Sequence, residues 1–154
     1  MKLLCDHMLG TLATWLRLCG FDTAYASANI DDAGLLDLAQ KENRVLITRD
    51  KQLLHRAQTR KLTVVGLTST DLDEQLQQVL WHIPLDPARI LTRCSVCNTP
   101  LESIEKNRVK EHIPQKVLAH QETFWHCPYC NKIYWEGSHV DKIRKKIDIL
   151  KKPR

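Results

Sequence analysis

The sequence of 154 residues lacks the features of a membrane-spanning or secreted protein. It contains no apolar run close to the roughly 18 residues that a membrane span needs. An acidic residue at position 6 interrupts the amino-terminal stretch MKLLCDHML, so the continuous apolar segment of a secretory signal is missing. A composition of 43% hydrophobic and 27% charged residues is typical of a globular protein. We therefore expect a cytoplasmic globular protein with no membrane partner.

Proline is missing from the first 83 residues, whereas the remaining 71 residues contain all six prolines. This shift predicts a connector at residues 83–88, because each proline disfavours helix in the residue before it. Charge changes at the same place. Residues 1–90 carry a net charge of −1, whereas residues 91–154 carry +6. The basic half is typical either of a solvated tail or of a nucleic-acid partner.

Short apolar runs alternate with helical spacing throughout the first segment. Strands are predicted at 2–5, 23–26, 44–48 and 62–67, with helices around 9–19, 32–41, 53–57 and 72–80. Parallel neighbours need crossover connections, so strands separated by helices predict a mainly parallel sheet. The expected fold class is an α/β sandwich, and we place this domain at residues 1–83.

The second segment has a different pattern, and we predict a second domain at residues 91–154. Short strands are expected around 90–92, 116–119 and 123–126. Apolar residues at helical spacing from Val140 to Leu150, interleaved with lysines and an arginine, predict a closing amphipathic helix with a basic outer face.

Four of the six cysteines form two C-x-x-C pairs with 29 residues between the pairs: Cys94, Cys97, Cys127 and Cys130. Without a secretion signal, such pairs indicate a metal more often than disulfides. Two turns that each present two thiolates complete a tetrahedral S₄ shell, which favours Zn²⁺ and leaves no open position. The predicted zinc is therefore structural. The long spacing predicts a ribbon with an inserted hairpin, and the remaining two cysteines, Cys5 and Cys19, are expected to be buried.

Aspartates follow the predicted strands. Asp6 follows the first strand, Asp50 the third and Asp71 the fourth, while Asp31 and Asp32 precede the second helix. Ligands of open parallel sheets bind beyond the carboxyl ends of the strands, so these acids would share one edge. Crowded carboxylates repel each other without a cation, and hard oxygen ligands suit Mg²⁺ or Mn²⁺.

Such an ion orients water for phosphodiester hydrolysis, which makes nuclease chemistry the natural use of this cluster. Aspartate is also a common helix cap, and Asp32, Asp50 and Asp71 all stand where a helix begins. Cap and ligand are therefore both open interpretations for these three residues. For Asp6 the ligand interpretation is stronger, because the next helix is expected to start nearer Leu9.

Several basic residues are candidates for binding nucleic acid. Arg49 and Lys51 flank Asp50 and could bind phosphate, with ordinary solvated charge as the alternative. In the second segment the basic candidates are Arg108, Lys110 and Lys132. Nearby rings could stack on the bases of a single strand or pack the second domain onto the first: Trp125, Tyr134 and Trp135.

Four stretches of the sequence resemble one known family: DHMLGTLATWLRLCGFDT at 6–23, RVLITRD at 44–50, RCSVCN at 93–98 and YWEGSH at 134–139. They are similar, in the same order, to the mut-seven C-terminal RNase domain family. The resemblance implies a PIN-like α/β fold, a C-terminal zinc ribbon and a metal-dependent ribonuclease activity. Its acidic residues fall on Asp6, Asp32 (or Asp31) and Asp50. PIN nucleases generally use about four acids, and Asp71 is the candidate for the fourth.

Two functions are consistent with these features. The first is a ribonuclease that uses Mg²⁺ or Mn²⁺ and acts on RNA, with single-stranded RNA as one form of substrate. The second is a catalytically inactive zinc-ribbon module that binds RNA or DNA. Salt-dependent binding without turnover under any divalent metal would distinguish the second from the first.

Overall fold

The computed structural model describes residues 1–152. The first part of the chain alternates strands and helices: β1 (Lys2–Cys5), α1 (Gly10–Leu18), β2 (Asp22–Tyr25), α2 (Asp32–Glu42), β3 (Val45–Thr48), α3 (Lys51–Thr59), β4 (Val64–Gly66) and α4 (Leu72–His82). A 3₁₀ turn, His7–Leu9, precedes α1, and a second one, Pro87–Arg89, lies in the connector. The predicted elements of this part are all present, with small shifts at their ends.

The first four strands form one sheet in the order β2-β1-β3-β4, with every neighbouring pair parallel. The chain leaves β1 toward β2 on one side and later returns to place β3 on the other side. The carboxyl ends of β1 and β3 therefore flank the point where the direction of winding reverses. Open α/β sheets bind their ligands in the crevice at this point. We call this place, with the residues that directly follow the two strands, the β1–β3 edge.

Helices cover both faces of this sheet, because side chains alternate between the faces along each strand. Leu3 and Ile47 belong to a core that also contains the buried residues of α1 and α4. Leu4 and Leu46 belong to a second core with the buried residues of α2 and α3. The sheet is thus the middle layer of a mixed α/β structure.

The C-terminal unit, residues 91–152, contains a second, antiparallel sheet. Its elements are β5 (Glu102–Ile104), α5 (Lys106–Val109), α6 (Gln115–His120), β6 (Phe124–His126), β7 (Ile133–Trp135) and α7 (Ser138–Leu150), and the strand order is β5-β6-β7. Only the last of the three predicted strands is present here. Residues 116–119 lie in α6, and residues 90–92 follow a 3₁₀ turn without joining a sheet. Between the cysteine pairs, β5 and β6 pair antiparallel, as expected for an inserted hairpin, but the connection between them carries α5 and α6. Residues 115–120 are mostly good helix formers, and Pro114 precedes them at the cap.

The closing helix α7 packs against α4 of the first part of the chain. Its buried residues, Val140, Ile143, Ile147 and Leu150, join the same core as α1 and α4. Lys142 and Lys145 are exposed, as the spacing predicted, whereas Lys146 is half-buried beside Asp73 and the Trp15 ring. The two-domain division stays a prediction, but one continuous core crosses the proposed boundary.

Hydrogen bonds also join the two parts at the amino end of β2. The Asn98 side chain donates to Asp22 Oδ1 at 2.8 Å and accepts from Thr23 N at 2.9 Å. Arg17 of α1 donates through Nη1 to the carbonyl oxygens of Ser95 and Val96, at 3.3 and 2.9 Å. The C-terminal unit is therefore held at the end of the sheet opposite to the β1–β3 edge.

No helix within residues 1–152 combines the length and apolar character that crossing a membrane requires.

We expect Gly20→Ala to destabilise the protein. Gly20 ends α1 with φ +90°, and a Cβ atom there would lie 2.1 Å from the carbonyl oxygen of Arg89 in the connector. The left-handed conformation alone costs a residue with a Cβ about 1–3 kcal/mol, and the backbone clash adds to that cost. Urea unfolding of the two proteins measures the change.

Gly10→Ala is the matched control. Gly10 has an ordinary helical φ of −60°, and its added Cβ would meet only the ring end of the half-exposed Tyr25, at 3.2 Å. Its free energy of unfolding should change by less than about 1 kcal/mol, the difference in helix propensity between the two residues. Equal losses in the two variants would contradict the role given to Gly20.

Candidate active site and metal centre

Asp6 is the most buried carboxylate of the β1–β3 edge, with 5% of its surface exposed. It follows β1 directly, and its backbone (φ −64°, ψ 162°) starts the 3₁₀ turn His7–Leu9. Oδ1 accepts a hydrogen bond from the backbone N–H of His7 at 2.7 Å, and Oδ2 accepts one from the Thr48 hydroxyl at 2.8 Å. Asp6 therefore caps a short turn that the sequence did not predict, and both oxygens have fixed orientations.

Thr48 connects the ends of the two central strands. Its side chain is fully buried, and its hydroxyl both donates to Asp6 Oδ2 and accepts from the backbone N–H of Asp50 at 3.0 Å. One oxygen atom thus links Asp6 to Asp50 across 44 residues of sequence. Thr48 was not among the site residues predicted from the sequence. Its signal was its position as the last residue of β3, directly before the Arg49-Asp50 pair.

Asp50 caps α3. Its Oδ1 accepts hydrogen bonds from the backbone N–H groups of Gln52 and Leu53, at 2.8 and 3.2 Å. No residue in the described part of the chain donates to its Oδ2, which leaves that oxygen available for a ligand. Cap and ligand are thus compatible interpretations for Asp50, because they use different oxygen atoms. Arg49 is half-buried beside it, and Lys51 is exposed at the first position of α3.

Asp31 and Asp32 have different partners at the start of α2. Asp31 is the residue that caps α2, through a 2.8 Å bond from Gly34 N to its Oδ1. Asp32 is the first helical residue, and its Oδ2 lies 3.7 Å from Arg56 Nη1 on α3. Of the two interpretations open for Asp32, the helix cap therefore belongs to Asp31 instead, and the ligand role of Asp32 stays a prediction. Its carboxylate faces an arginine of the neighbouring helix.

His7 ties the loop before α2 to this edge. Its Nε2 lies 2.7 Å from the carbonyl oxygen of Ile30, one residue before Asp31. Its other ring nitrogen, Nδ1, is buried with no hydrogen-bond partner in the described structure. The histidine therefore brings the start of α2 close to the turn that Asp6 begins.

Asp71 lies at the start of α4, where its Oδ1 accepts a hydrogen bond from Glu74 N at 3.0 Å. Within residues 1–152 no hydrogen bond or ion pair joins it to Asp6, Asp32 or Asp50. The geometry thus accounts for Asp71 as a helix cap, and its role as a fourth acid stays a prediction.

The carboxylates do not form a closed ligand shell in the described chain. Among residues 1–152, the only group of three or more Asp, Glu, His or Cys side chains with ligand atoms all within 4.8 Å of one another is the set of four cysteines. Carboxylates repel each other when no cation lies between them. The acids are thus spread along one edge, with Asp6 and Asp50 linked through Thr48.

The four cysteines lie on two turns of matching geometry. The N–H of Asn98 bonds to the carbonyl of Cys94 at 3.0 Å, and the N–H of Asn131 bonds to that of Cys127 at 2.8 Å. Both asparagines have positive φ angles, 72° and 60°, which this residue type tolerates better than most. The repeated pattern C-x-x-C-N is the sequence signal for these two turns. We call them the first knuckle (residues 94–98) and the second knuckle (residues 127–131).

The sulfur positions fit a zinc ion. All four Sγ atoms lie within 4.8 Å of one another, and Cys97 Sγ and Cys127 Sγ are 3.4 Å apart. A tetrahedron with Zn–S bonds of about 2.3 Å has S–S edges of ~3.8 Å. All six cysteines are free thiols, so no disulfide competes with the metal. The four-cysteine group can therefore hold a metal, as the spacing predicted.

The environment lowers the pKa values of Cys94 and Cys97 and raises those of Cys127 and Cys130. Burial raises the pKa of Cys97, but hydrogen bonds with Thr99 and neighbouring cysteines outweigh it and lower the pKa to about 6. The pKa of Cys130 rises to about 12, mainly because it hydrogen-bonds to Cys97. Burial also raises the pKa values of Cys5 and Cys19 to about 12, which makes these two thiols unreactive. A metal that binds the cluster must displace protons from it.

Tyr134 supports the cluster from within the fold. It is buried, its hydroxyl lies 3.2 Å from Cys94 Sγ, and it accepts a bond from Ser95 N at 3.1 Å. Of the two interpretations open for Tyr134, packing therefore fits and stacking on a nucleic-acid base does not, because the ring is buried. Trp125 and Trp135 are half-buried, whereas Tyr129, at the tip of the second knuckle, is 80% exposed.

The predicted basic residues of the C-terminal unit lie at its surface. Arg108, Lys110 and Lys132 are all exposed, and the Nζ atom of Lys132 lies 5.2 Å from the centre of the Tyr134 ring. Their role in binding nucleic acid stays a prediction.

A family model described as the Mut7-C RNAse domain matches residues 1–147. No curated protein and no solved structure matches the chain. The family match spans both the β1–β3 edge and the four-cysteine group.

We expect the purified protein to contain about one zinc ion per chain, because the four thiolates fill a tetrahedral shell. Cys127→Ser should lose most of this zinc and unfold at a lower temperature. Cys19→Ala is the control, because Cys19 is an equally buried thiol outside the cluster and should leave the zinc content unchanged. Elemental analysis and thermal unfolding measure both effects, and full zinc content in Cys127→Ser would contradict the assignment.

Proposed function

Because the chain belongs to the Mut7-C RNase domain family, we propose that it is a ribonuclease that hydrolyses RNA phosphodiester bonds at the β1–β3 edge with the aid of Mg²⁺ or Mn²⁺. The observation that carries this proposal is the Thr48 hydroxyl, which links Asp6 and Asp50 at the switch point of a parallel sheet. We further propose that the α/β part is a PIN-like sandwich and that the C-terminal unit is a structural zinc ribbon.

Asp6, Asp50 and Asp32 (or Asp31) are the residues that would hold the divalent ion, and carboxylate oxygens are the ligands that such hard cations prefer. When bound, the ion supplies a polarised water and offsets charge on the phosphoryl oxygens. Asp6 suits a fixed ligand, since its two oxygens are oriented by His7 N–H and the Thr48 hydroxyl. Asp50 suits a second ligand of the ion through its Oδ2 atom.

Other groups near this edge suit an anionic substrate. Asp50 stands at the start of α3, where helix N–H groups leave a partial positive charge. Arg49 and Lys51 flank it and would bind phosphate groups of the strand. The positive net charge of residues 91–154 would attract the same backbone, with Arg108, Lys110 and Lys132 as exposed contributors.

A second candidate function is an inactive module that binds RNA or DNA. One observation favours it. Asp32 faces Arg56, which would compete with a metal for that carboxylate. This function predicts salt-dependent binding of nucleic acid and no turnover with any divalent metal.

We expect Asp6→Asn and Asp50→Asn each to reduce Mg²⁺- or Mn²⁺-dependent RNA cleavage by at least about 100-fold, since several kcal/mol of charge stabilisation depend on the ion. Asparagine also caps helices, so Asp50→Asn should keep α3 intact. Asp37→Asn is the control, because Asp37 is an exposed aspartate of α2 that pairs with Arg60 near the other end of α3. Undiminished cleavage by the Asp6 and Asp50 variants would reveal a contaminating nuclease and defeat the proposal.

We also expect Thr48→Val to lower cleavage by roughly tenfold and to raise the metal concentration needed for half-maximal rate. The variant removes the donor to Asp6, and a hydrogen bond to a charged group contributes about 1.5–3 kcal/mol. Thr48→Ser keeps the hydroxyl and should restore both values, even if it loses some stability through the missing methyl group. Metal titrations of initial rate compare the three proteins. The positioning role of Thr48 is wrong if the valine and serine variants need the same metal concentration for half-maximal rate.

A further inference from the structure

A pocket of about 600 Å³ opens in the C-terminal unit, away from the residues of the β1–β3 edge. Its walls come from β5, α5, β6, β7 and the second knuckle. Binding sites for small organic groups commonly have volumes of about 300–1,000 Å³, so one nucleotide unit fits such a space. The pocket is not needed for the metal cluster, since none of the four cysteines lines it.

The floor of the pocket is apolar and contains one aromatic ring. Ile104, Ile113 and Ile133 contribute aliphatic surface, and Trp135 contributes an indole. Phe124 holds this ring from one side, with centroids 6.4 Å apart, and Gly137 lies against its Nε1 edge. A ring that is already immobilised loses little conformational freedom when a planar base stacks on it.

The rim of the pocket is polar and cationic. It carries Arg108, His112, His126 and Asn131, of which Arg108, His112 and Asn131 are exposed. Among the described residues that line the pocket, none has a carboxylate. His126 pairs with an acid outside the lining, Glu102, whose Oε2 lies 3.7 Å from His126 Nε2. An apolar floor beneath hydrogen-bond donors suits a nucleobase that is attached to a phosphate group. It does not suit a hydrophobic ligand with few hydrogen-bond acceptors.

Asn131 joins this rim to the second knuckle. Its backbone closes the knuckle with φ 60°, and the residue is part of the pocket lining. An amide offers both donors and an acceptor, which suits the hydrogen-bonding edge of an unpaired base. The second knuckle thus sets the position of one recognition group.

We infer that this pocket is a subsite for one unpaired nucleotide of a single-stranded RNA, with the base on Trp135 and the adjoining phosphate on Arg108 and His112. This inference rests on the proposed function only in taking the bound strand to be RNA. The pocket and the β1–β3 edge belong to different parts of the chain. An RNA strand that contacts both sites must therefore span several nucleotides. Long substrates would therefore use the subsite, and the shortest ones would not.

The test compares two charge reversals on the zinc-loaded full chain, without added Mg²⁺ or Mn²⁺. Arg108→Glu should weaken binding of a fluorescent single-stranded RNA octamer by roughly tenfold, the order of one lost charged hydrogen bond to a phosphate. Lys110→Glu makes the same change of charge two residues away, outside the pocket, and should weaken binding by roughly threefold or less, because an exposed charge acts through water. Equal losses of RNA affinity in the two variants would overturn the subsite, because they would indicate that both residues attract the RNA only through their charge.

A second measurement does not depend on a charge reversal. Adenosine 5′-monophosphate, titrated into labelled wild-type protein, should shift the indole N–H resonance of Trp135 and the side-chain amide resonance of Asn131. Trp135→Leu assigns the indole signal, and Arg108→Glu should abolish the shift of the Asn131 amide. Unchanged resonances of both groups at saturating nucleotide would overturn the inference.

Cleavage assays separate this inference from the proposed function. If wild type cuts RNA and Arg108→Glu raises KM for long RNA while leaving kcat unchanged, both stand. If wild type binds RNA through the pocket but cuts nothing under any divalent metal, the subsite stands and the nuclease proposal fails. If wild type cuts RNA and Arg108→Glu has an unchanged KM, the nuclease proposal stands and the subsite fails.

Discussion

A single buried hydroxyl governs the geometry of the candidate active site. Thr48 donates to Asp6 and accepts from the backbone of Asp50, so it defines how the ends of β1 and β3 sit against each other. The link exists because β1 pairs in parallel with β3, which places Cys5 opposite Ile47 and brings both strand ends to the same edge. Inside the protein such a bond is little screened by water, and an unpaired carboxylate there would be costly. The charged edge thus depends on one neutral side chain.

The C-terminal unit depends on a different constraint. Its small sheet has strands of only three residues each, and its own core includes few residues, Val109, Ile113 and Phe124 among them. A unit this small needs either a metal or a larger neighbour for stability, and the chain provides for both. The knuckles bring four sulfurs together, and α7 joins the core of the α/β part. Arg17 and Asn98 then fix the first knuckle to the amino end of the sheet. Loss of a metal from the four cysteines would therefore destabilise contacts beyond the two knuckles.

The sequence was most informative where a pattern has one physical solution. The alternation of strands and helices up to position 82, the C-x-x-C spacing and the basic amphipathic helix α7 were all predictable, since burial of an apolar face requires a matching period. Prediction failed at residues 116–119, where three apolar residues in a short run suit a strand or a helix equally well. The sequence left stacking and packing both open for Tyr134, because a ring beside basic residues looks the same in sequence whether it faces water or a thiol.

The sequence by itself determined which chemical groups the protein has and roughly where along the chain they stand. It placed an aspartate after each central strand and four cysteines on two turns, because local backbone preferences and ligand chemistry act over a few residues. Only the tertiary structure decided which groups meet. It made Asp31 the cap and turned Asp32 toward Arg56, linked Asp6 to Asp50 through Thr48, and placed α7 on α4 across the predicted boundary. Those choices depend on strand order and on contacts between residues far apart in sequence, and no local pattern encodes them.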